Sequence, residues 1–311
     1  MSRWVTKNGI LATVLITLFT GYALLDVFVI PHEYADVSGT ETGTVSDGSN
    51  IKNFLPGNES LTEPVITDRS YNDSNISVTI TEHRICDTDV YVADVYVSSP
   101  KYLFTALAKN KFGRNIKDTT SSIAKQHGAV LAVNGDFYGA RNYGYVIRNG
   151  VLYRSVTAGG ADEDLVLYGD GSMKVISEVS KTAQALLNEG AVQVWAFGPG
   201  LISDGELTVS QTEEVVQAAS SNPRTAIAWV GEGHYLLVVS DGRTSENDGL
   251  TLYELASFLK SLGAVTAYNL DGGGSSTMVF MGKVINHPTT NGRSTTERSV
   301  SDIVCIGYPK H

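Results

Sequence analysis

The stretch AVLAVNGD at residues 129–136 recurs, with five of eight positions identical, as AVTAYNLD at residues 264–271. Each copy follows a helix-like stretch that ends at a glycine, Gly128 or Gly263, and each precedes a probable hairpin pattern. The repeat predicts a duplicated unit of helix, apolar strand, Asn-x-Asp loop and hairpin. Because strand ends that open into glycine-containing loops present polar side chains to ligands, we expect both loops to face one cleft.

The rest of the sequence predicts an α+β fold with mixed β-sheets and about three helices. Alternating or β-branched runs around turn residues predict hairpins at residues 76–98, 145–153, 165–176, 224–240 and 276–285. Helix signals cover residues 118–127, 180–189 with Ser180 as the cap, and a stretch that begins at the Thr251–Glu254 capping box. A parallel pairing is expected where each Asn-x-Asp strand follows its helix.

Three regions follow from the hydropathy and charge. Residues 1–31 are predicted to be a cytoplasmic tip and a transmembrane anchor, since residues 9–30 are almost continuously apolar and Arg3 and Lys7 precede them. Residues 32–75, with eight acidic against two basic residues, are predicted to be a flexible linker. Residues 76–311 then form one extracytoplasmic domain at the cell membrane. The alternative is a secreted domain, released by signal cleavage near residues 21–23.

The composition excludes some partners and chemistries. A net charge of -10 without a basic stripe argues against nucleic acid. Two cysteines, Cys86 and Cys305, permit one disulfide bridge without requiring it. The sequence lacks a Gly-x-Ser-x-Gly elbow, a His-Glu-x-x-His motif and a Cys/His ligand pattern, which argues against serine and zinc hydrolases. No cofactor and no metal site are expected, although a structural or catalytic divalent cation stays open.

The strongest local signal is NLDGGGSST at residues 269–277. Gly272, Gly273 and Gly274 allow a tight turn whose amides form a nest for phosphate or carboxylate oxygens, with Ser275 as a further donor. The alternative is a hairpin loop in which Asp271 caps its own turn. The twin loop of Asn134 and Asp136 favours the functional interpretation.

Two further motifs hold candidate anion ligands. Arg224 begins an apolar strand, where its guanidinium can clamp an anion at the sheet edge. Asp241 and Arg243 close the partner strand of the same hairpin. The alternatives are a surface arginine at a strand end and an ordinary ion pair in a turn.

Four motifs in this order resemble the phosphodiester glycosidase family: NGDFY at 134–138, NPRTA at 222–226, DGR at 241–243, and NLDGGGSST at 269–277. The resemblance covers roughly residues 76–308. It implies a hydrolase that cleaves the glycosidic C1–O bond of a sugar-1-phosphodiester. The expected substrate is a phosphodiester-linked glycan or sugar-1-phosphate conjugate in an extracellular or cell-wall glycopolymer, because bacterial members are often described as exopolysaccharide-related.

The chemistry of that reaction suggests roles for the candidates. A phosphate monoester, with its second pKa near 6, is a good leaving group, so one carboxylate is required to attack C1 or to activate water. Asp271 or Asp136 is the expected carboxylate, with the other orienting a hydroxyl or water and with Asn134 and Asn269 beside them. The expected substrate- and phosphate-binding residues are Arg224, Asp241, Arg243, Gly272, Gly273, Gly274 and Ser275, with the phosphate clamp formed by Arg224 and the three glycine amides.

Two other functions stay open on the sequence alone. The first is a non-catalytic module that binds cell-surface glycan in the same cleft. The second is a metal-dependent phosphodiesterase that attacks phosphorus, which would need several Asp or His ligands around a cation.

Overall fold

A computed structural model describes residues 2–34, 63–157, 159, 162–211 and 221–309. Four α-helices lie in these ranges: α1 Ser2–Phe28, α2 Thr120–His127, α3 Ala183–Asn188 and α4 Leu252–Ser261. The described strands are β1 His32–Glu33, β2 Val65–Ile66, β3 Ser70–Asn72, β4 Ile76–Ile85, β5 Thr88–Val97, β6 Leu103–Leu107, β7 Gly113–Arg114, β8 Leu131–Asn134, β9 Val146–Arg148, β10 Val151–Arg154, β11 Glu163–Tyr168, β12 Met173–Ser177, β13 Ala191–Trp195, β14 Gly200–Ser203, β15 Glu206–Leu207, β16 Thr225–Gly231, β17 His234–Ser240, β18 Thr266–Asn269, β19 Met278–Phe280, β20 Lys283–Val284 and β21 Asp302–Ile306.

Three large sheets and one short ribbon contain these strands. The nine-stranded sheet has the order β15-β14-β18-β16-β17-β5-β4-β3-β2. The two five-stranded sheets have the orders β20-β19-β8-β21-β6 and β10-β9-β13-β11-β12, and β1 pairs with β7. The predicted α+β class is therefore confirmed. Every strand pair in the described ranges is antiparallel, so the expected parallel pairing beside the Asn-x-Asp strands is not found there.

The duplicated unit is present. The hairpin of its second copy pairs with the strand of the first copy, whereas the hairpin of the first copy pairs with β13. Helices α2 and α4 are followed by Gly128 and Gly263, which have positive φ angles of 63° and 87°, and then by β8 and β18. The hairpin of the second copy, β19–β20, pairs with β8 of the first copy, with Met278 opposite Val133. Strand β18 instead joins the nine-stranded sheet between β14 and β16. The pairing of β19 with β8 links the second copy to the sheet of the first copy, next to the two Asn-x-Asp loops.

The main core lies between the nine-stranded sheet and the two five-stranded sheets. Each helix of the domain covers the outer face of one sheet. Helix α4 packs Leu255 and Leu259 on the nine-stranded sheet, α2 packs Ile123 on the sheet of β8, and α3 packs Leu186 on the sheet of β11. The capping box predicted for α4 is formed, since the Thr251 hydroxyl accepts a hydrogen bond from the Glu254 amide and the Glu254 carboxylate accepts from the Thr251 amide.

Some boundaries differ from the sequence-based expectation. Strands β2 and β3 add to the edge of the nine-stranded sheet, and Tyr71 is buried in the core, so the folded domain begins before residue 76. Residues 35–62 of the predicted linker lie outside the described residues. Helix α3 is capped by Thr182 and not by Ser180, because the Thr182 hydroxyl accepts a hydrogen bond from the Ala185 amide.

The two cysteines are both free. Cys86 is exposed in the turn between β4 and β5, whereas Cys305 is buried in β21.

Helix α1 has the length and composition of a membrane span. Its window Leu11–Phe28 has a mean hydropathy of 1.9, and none of this window is buried against the domain. An N-terminal helix of this kind is either a signal anchor or a signal peptide.

Candidate active site

The two Asn-x-Asp loops meet directly at the junction between sheets. The Asn134 amide group donates to the Asp271 carbonyl oxygen at 2.5 Å, and the Asp271 amide donates to the Gly135 carbonyl oxygen at 3.3 Å. The side-chain Oδ1 of Asn134 accepts from the Thr225 hydroxyl at 2.8 Å and from the Thr277 amide at 3.3 Å. Asn134 is fully buried. Its hydrogen bonds join β8, β16 and the glycine-containing loop after β18.

Asn269 takes the corresponding position in the second copy. Its Nδ2 donates to the Gly198 carbonyl oxygen at 2.8 Å, which fixes the loop between β13 and β14. Its Oδ1 is buried and has no hydrogen-bond partner among the described residues, as is also true of Ser276 Oγ and Thr277 Oγ1. A buried polar atom without a partner is unusual, so these three oxygens are candidates for contact with a ligand or an ordered water.

Asp136 is the center of a closed ion-pair network. Its Oδ2 accepts from Arg148 Nη2 at 2.8 Å and from the Ala196 amide at 3.1 Å, while its Oδ1 accepts from the Tyr138 amide at 3.0 Å. Arg148 also donates through Nε to Asp302 at 2.9 Å. The Asp136 and Asp302 side chains have no exposed surface. Burial raises the pKa of Asp302 to about 8, opposed by Arg148 and reinforced by the charge of Asp136.

Of the two Asn-x-Asp carboxylates, only that of Asp271 is partly exposed to solvent. Its side chain is 11% exposed, whereas that of Asp136 is 0% exposed. Its Oδ2 accepts from the Ser275 hydroxyl at 2.6 Å, and the Ser275 oxygen accepts from Arg298 Nε at 2.9 Å. Arg298 Nη2 lies 3.4 Å from both Asp271 oxygens. Burial raises the pKa of Asp271, and the nearby Arg298 only partly offsets that effect.

The glycine-rich loop is not the open nest of amides that its sequence predicts. The Gly273 amide donates to the Pro223 carbonyl oxygen at 2.7 Å, and the Gly272 amide hydrogen-bonds to Asp271. The glycines instead allow close packing. A Cβ atom would lie 2.9 Å from the Pro223 oxygen at Gly272 and 2.3 Å from Thr290 Oγ1 at Gly274. Two of the three amides are therefore occupied within the protein.

Arg243 lies against this loop. Its guanidinium holds Asn222 Oδ1 through Nε at 3.1 Å and Nη2 at 2.9 Å, and Nη1 donates to the Thr290 carbonyl oxygen. A Cβ atom at Gly273 would lie only 2.8 Å from Arg243 Nη2. Burial lowers the pKa of Arg243, and the positive charge of Arg298 adds to this effect. Two arginines and Asp271 therefore share one side of the loop.

A third arginine borders Asp271 from the first loop. Arg141 Cζ lies 5.7 Å, 5.8 Å and 5.2 Å from the ring centers of Phe137, Tyr143 and Phe197. Phe137 and Tyr143 are 40% and 46% exposed, and the charge of Arg141 lowers the pKa of Asp271. Exposed rings around a cation are able to stack on the apolar face of a sugar.

Arg224 and Asp241 do not lie where a phosphate clamp requires them. Arg224 is buried, and its Nε donates to the Leu250 carbonyl oxygen at 2.8 Å. Side chains alternate along β16, so Thr225 faces Asn134 while Arg224 faces the layer of α4. Asp241 is also buried, and its oxygens accept from Asn286 Nδ2 and from the His287 amide and ring. Both residues hold segments that surround the site.

Four charged residues of this site were not among the sequence-based candidates, namely Arg141, Arg148, Asp302 and Arg298. Arg298 ends the segment 287–298, whose Thr, Asn, Gly, Arg and Ser residues predict a mobile loop. Its amide donates to the Gly274 carbonyl oxygen at 3.3 Å, and Thr289 of the same segment is buried. Arg148 carried a weak signal, because a charged residue that ends the apolar run Tyr145–Ile147 needs a buried counter-ion.

Among the described residues, no group of three or more His, Cys, Asp or Glu side chains is arranged to hold a metal ion. The site consists of one partly accessible carboxylate, surrounding arginines and unpaired polar oxygens. This combination suits an anionic ligand that also carries hydroxyl groups.

The fold and the site define an α+β domain in which one carboxylate and several arginines lie at the junction of two sheets. The chain belongs to the phosphodiester glycosidase family, whose sequence profile matches residues 127–307. This match confirms the family resemblance of the four motifs.

Two curated relatives and one solved structure give the range of similarity. The prophage-derived uncharacterized protein YomE of Bacillus subtilis is 35% identical over 204 residues, which are 64% of this chain and 31% of that protein. The bovine N-acetylglucosamine-1-phosphodiester alpha-N-acetylglucosaminidase is 30% identical over 210 residues, which are 62% of this chain and 39% of that protein. The chain thus spans less than half the length of either relative.

The solved structure is the catalytic domain of the zebrafish N-acetylglucosamine-1-phosphodiester alpha-N-acetylglucosaminidase, auto-inhibited by its pro-peptide. It matches with a TM-score of 0.57 and 22% identity, over 74% of this chain and 82% of that chain. At this identity the likeness shows the fold.

Proposed function

We propose that this protein is a hydrolase that cleaves the glycosidic C1–O bond of a sugar-1-phosphodiester. The observation that carries the proposal is Asp271, a partly accessible carboxylate among arginines in a domain of the phosphodiester glycosidase family. The bovine relative is named for this type of bond.

Asp271 is the proposed catalytic carboxylate, which attacks C1 or activates a water molecule. A phosphate monoester leaves without much protonation, so a second acid is not required. Because burial raises its pKa, Asp271 is a stronger base than an exposed aspartate. Asp136, with both oxygens paired and no exposed surface, is proposed to be a positioning residue for the first loop.

Arg298 and Arg243 are the proposed phosphate ligands, in place of Arg224 and the glycine amides. The Arg298 side chain is 39% exposed and lies beside Asp271. A guanidinium there would stabilise the charge that develops on the departing phosphate. Asn269, through its unpaired Oδ1, is proposed to accept a hydrogen bond from a sugar hydroxyl. The Arg141 cluster would then border the sugar ring.

The proposed substrate is a phosphodiester-linked glycan outside the cell, in an exopolysaccharide or the cell wall. Arg3 and Lys7 precede the apolar stretch of α1, so the N-terminus is expected to stay in the cytoplasm and the domain to be exported. In this topology α1 is a signal anchor. The alternative is a secreted domain after signal cleavage.

The position of bond cleavage tests the proposed reaction. Hydrolysis of a sugar-1-phosphodiester in oxygen-18 water is expected to place the label on the anomeric hydroxyl of the sugar. Label in the phosphate product would show attack at phosphorus and would reject the proposal. No sugar release from a panel of sugar-1-phosphodiesters, with binding to the glycan retained, would favour the non-catalytic binding module.

The Asp271→Asn variant tests the catalytic carboxylate at nearly constant volume. The expected loss in kcat is about 10²- to 10⁴-fold, the usual contribution of a positioned acid or base. Asp170→Asn is the matched control, because Asp170 lies in an exposed turn and bonds only to Ser172 in the hydrogen bonds described. Comparable activity in the two variants would exclude Asp271 from the chemistry.

The Arg298→Lys variant tests the phosphate ligand, since lysine keeps the charge and loses the planar fork. A hydrogen bond to a charged group contributes about 1.5–3 kcal/mol, so kcat/KM should fall about 10- to 100-fold. A kcat/KM equal to that of the wild type would show that Arg298 does not contact the phosphate.

A further inference from the structure

The residues after helix α1 pair with the domain. Strand β1, His32–Glu33, runs antiparallel to β7, with His32 opposite Arg114 and Glu33 opposite Gly113. Lys111 Nζ lies 2.6 Å from Glu33 Oε2. A Cβ atom at Gly113 would lie 1.8 Å from the His32 carbonyl oxygen, so this pairing requires glycine. The chain therefore turns from the helix directly onto the domain.

The same part of the domain caps the end of α1. Arg114 Nη2 donates to the Val27 carbonyl oxygen at 2.9 Å, and Asn115 Nδ2 donates to the carbonyl oxygens of Val27 at 3.0 Å and Ile30 at 3.1 Å. The last carbonyl groups of a helix have no partners within it. At the edge of a bilayer such unpaired groups are costly, so these two side chains serve the end of a membrane span.

The capping residues belong to a basic stretch in an acidic chain. Residues 109–117, KNKFGRNIK, contain four basic residues and no acidic residue, whereas the whole chain has a net charge of -10. We name residues 109–117 the basic segment. Lys109 and Lys117 are exposed. Tyr34, which is 44% exposed beside this segment, is typical of the membrane interface.

We propose that the basic segment is a membrane-contact surface whose partner is an anionic lipid headgroup. Arg114 and Asn115 hold the end of α1, while Lys109 and Lys117 bind the headgroups around it. The proposal rests on the proposed membrane anchor and does not depend on the catalytic activity. This contact would hold the domain against the bilayer, whereas a long flexible linker would leave it free to move away.

The contact also places the candidate site close to the lipid surface. The Phe112 ring of the basic segment stacks on Tyr138 at 5.1 Å, and the Tyr138 amide donates to Asp136 in the first Asn-x-Asp loop. Only a short, packed path therefore separates the headgroups from the loop. The substrate would be a phosphodiester glycan near the membrane face, and glycan far from the bilayer would be out of reach.

A fluorescence experiment on the full chain tests this contact. A label is attached at Lys117→Cys in a Cys86→Ser background, because the remaining Cys305 is buried. The protein is reconstituted into phosphatidylcholine vesicles with headgroup-attached quencher, with and without phosphatidylglycerol. We expect strong quenching that rises with phosphatidylglycerol and falls with salt. The control label is Lys260→Cys on α4, which packs on the opposite side of the nine-stranded sheet from the main core.

A second variant separates the contact from general destabilisation. Asn115 has a φ angle of 60°, so Asn115→Gly keeps its backbone and removes both side-chain bonds to α1. Quenching at residue 117 should fall in this variant. Asn149→Gly is the matched control, because Asn149 also has positive φ, at 52°, and its side-chain Nδ2 donates to the Thr105 carbonyl oxygen within the domain. Its quenching should not change.

Three results would overturn the proposal. One is equal quenching at residues 117 and 260, which would mean that the domain moves freely relative to the bilayer. The second is quenching that does not respond to Asn115→Gly. The third is a mature protein whose mass lacks residues 2–28, since α1 would then be absent. Each readout is independent of sugar hydrolysis, so failure of the proposed activity is detected separately.

Discussion

Replacing Asp164 by asparagine is expected to stabilise the protein more at pH 8 than at pH 5. Asp164 lies on β11, is 1% exposed, and neither of its carboxylate oxygens has a hydrogen-bond partner in the described residues. Burial raises its pKa from 3.8 to about 9, and the charges of Glu178 and Asp136 act in the same direction. The folded protein therefore holds a proton on Asp164 at neutral pH.

The size of the change in unfolding free energy with pH follows from the proton that the folded protein keeps on Asp164. The unfolded chain loses the proton near pH 3.8, and the folded protein keeps it to about pH 9. The stabilising contribution of Asp164 is thus fully present below pH 3.8 and is lost as the pH rises through 9. Between these limits the free energy of unfolding falls by about 1.4 kcal/mol per pH unit. From pH 5 to pH 8 the loss is at most about 4 kcal/mol.

Urea unfolding of the wild type and of Asp164→Asn at pH 5 and pH 8 measures this effect. The difference in unfolding free energy between the two proteins should shift in favour of asparagine by up to about 4 kcal/mol across that interval. Asp170→Asn is the control, because hydrogen bonds from Ser172 lower the pKa of Asp170 and it stays ionised in both states. If Asp164→Asn shows the same pH-independent difference as the control, then Asp164 is ionised in the folded protein and the reasoning is wrong.

Three other substitutions test the structural network. Arg148→Met leaves Asp136 and Asp302 buried without their cation, so thermal or urea unfolding should show a loss of about 3–5 kcal/mol; a loss below about 1 kcal/mol would contradict the network. Thr225→Val removes the hydroxyl that donates to Asn134 and should lower the free energy of urea unfolding by about 0.5–1.5 kcal/mol. An unchanged unfolding free energy would show that this hydrogen bond is absent. Thr251→Ala removes the cap of α4 and should lower stability by about 0.5–2 kcal/mol, whereas an unchanged melting temperature would argue against the capping box.

The sequence predicts the local structure well because hairpins and helix ends are encoded locally. The turn Gly231-Glu232-Gly233 between two β-branched runs marks the β16–β17 hairpin, and Thr251 with Glu254 marks the start of α4. The repeated Asn-x-Asp loops also mark the two segments that meet at the candidate site. These signals depend on spacing within about ten residues, and the fold preserves that spacing.

The remaining features depend on contacts between distant segments. Glycines predicted an open nest, but Pro223 occupies the Gly273 amide, and spacing alone does not reveal such a partner. Arg224 was expected to clamp phosphate, yet strand alternation turns it toward α4 and leaves Thr225 facing the site. Arg298 follows a segment with no regular pattern, so only packing against Gly274 reveals its place.

The two copies of the repeat differ because their counter-ions come from different places. Arg148, at the end of the first copy's strand β9, reaches back and closes Asp136 inside the protein. The corresponding strand of the second copy, Met278–Phe280, is apolar and supplies no cation. Asp271 therefore takes its cationic neighbour from Arg298, whose side chain is partly exposed. A carboxylate such as Asp271, whose cationic neighbour is partly exposed, is able to contact a ligand. A carboxylate such as Asp136, whose cationic neighbour is buried, stabilises the fold.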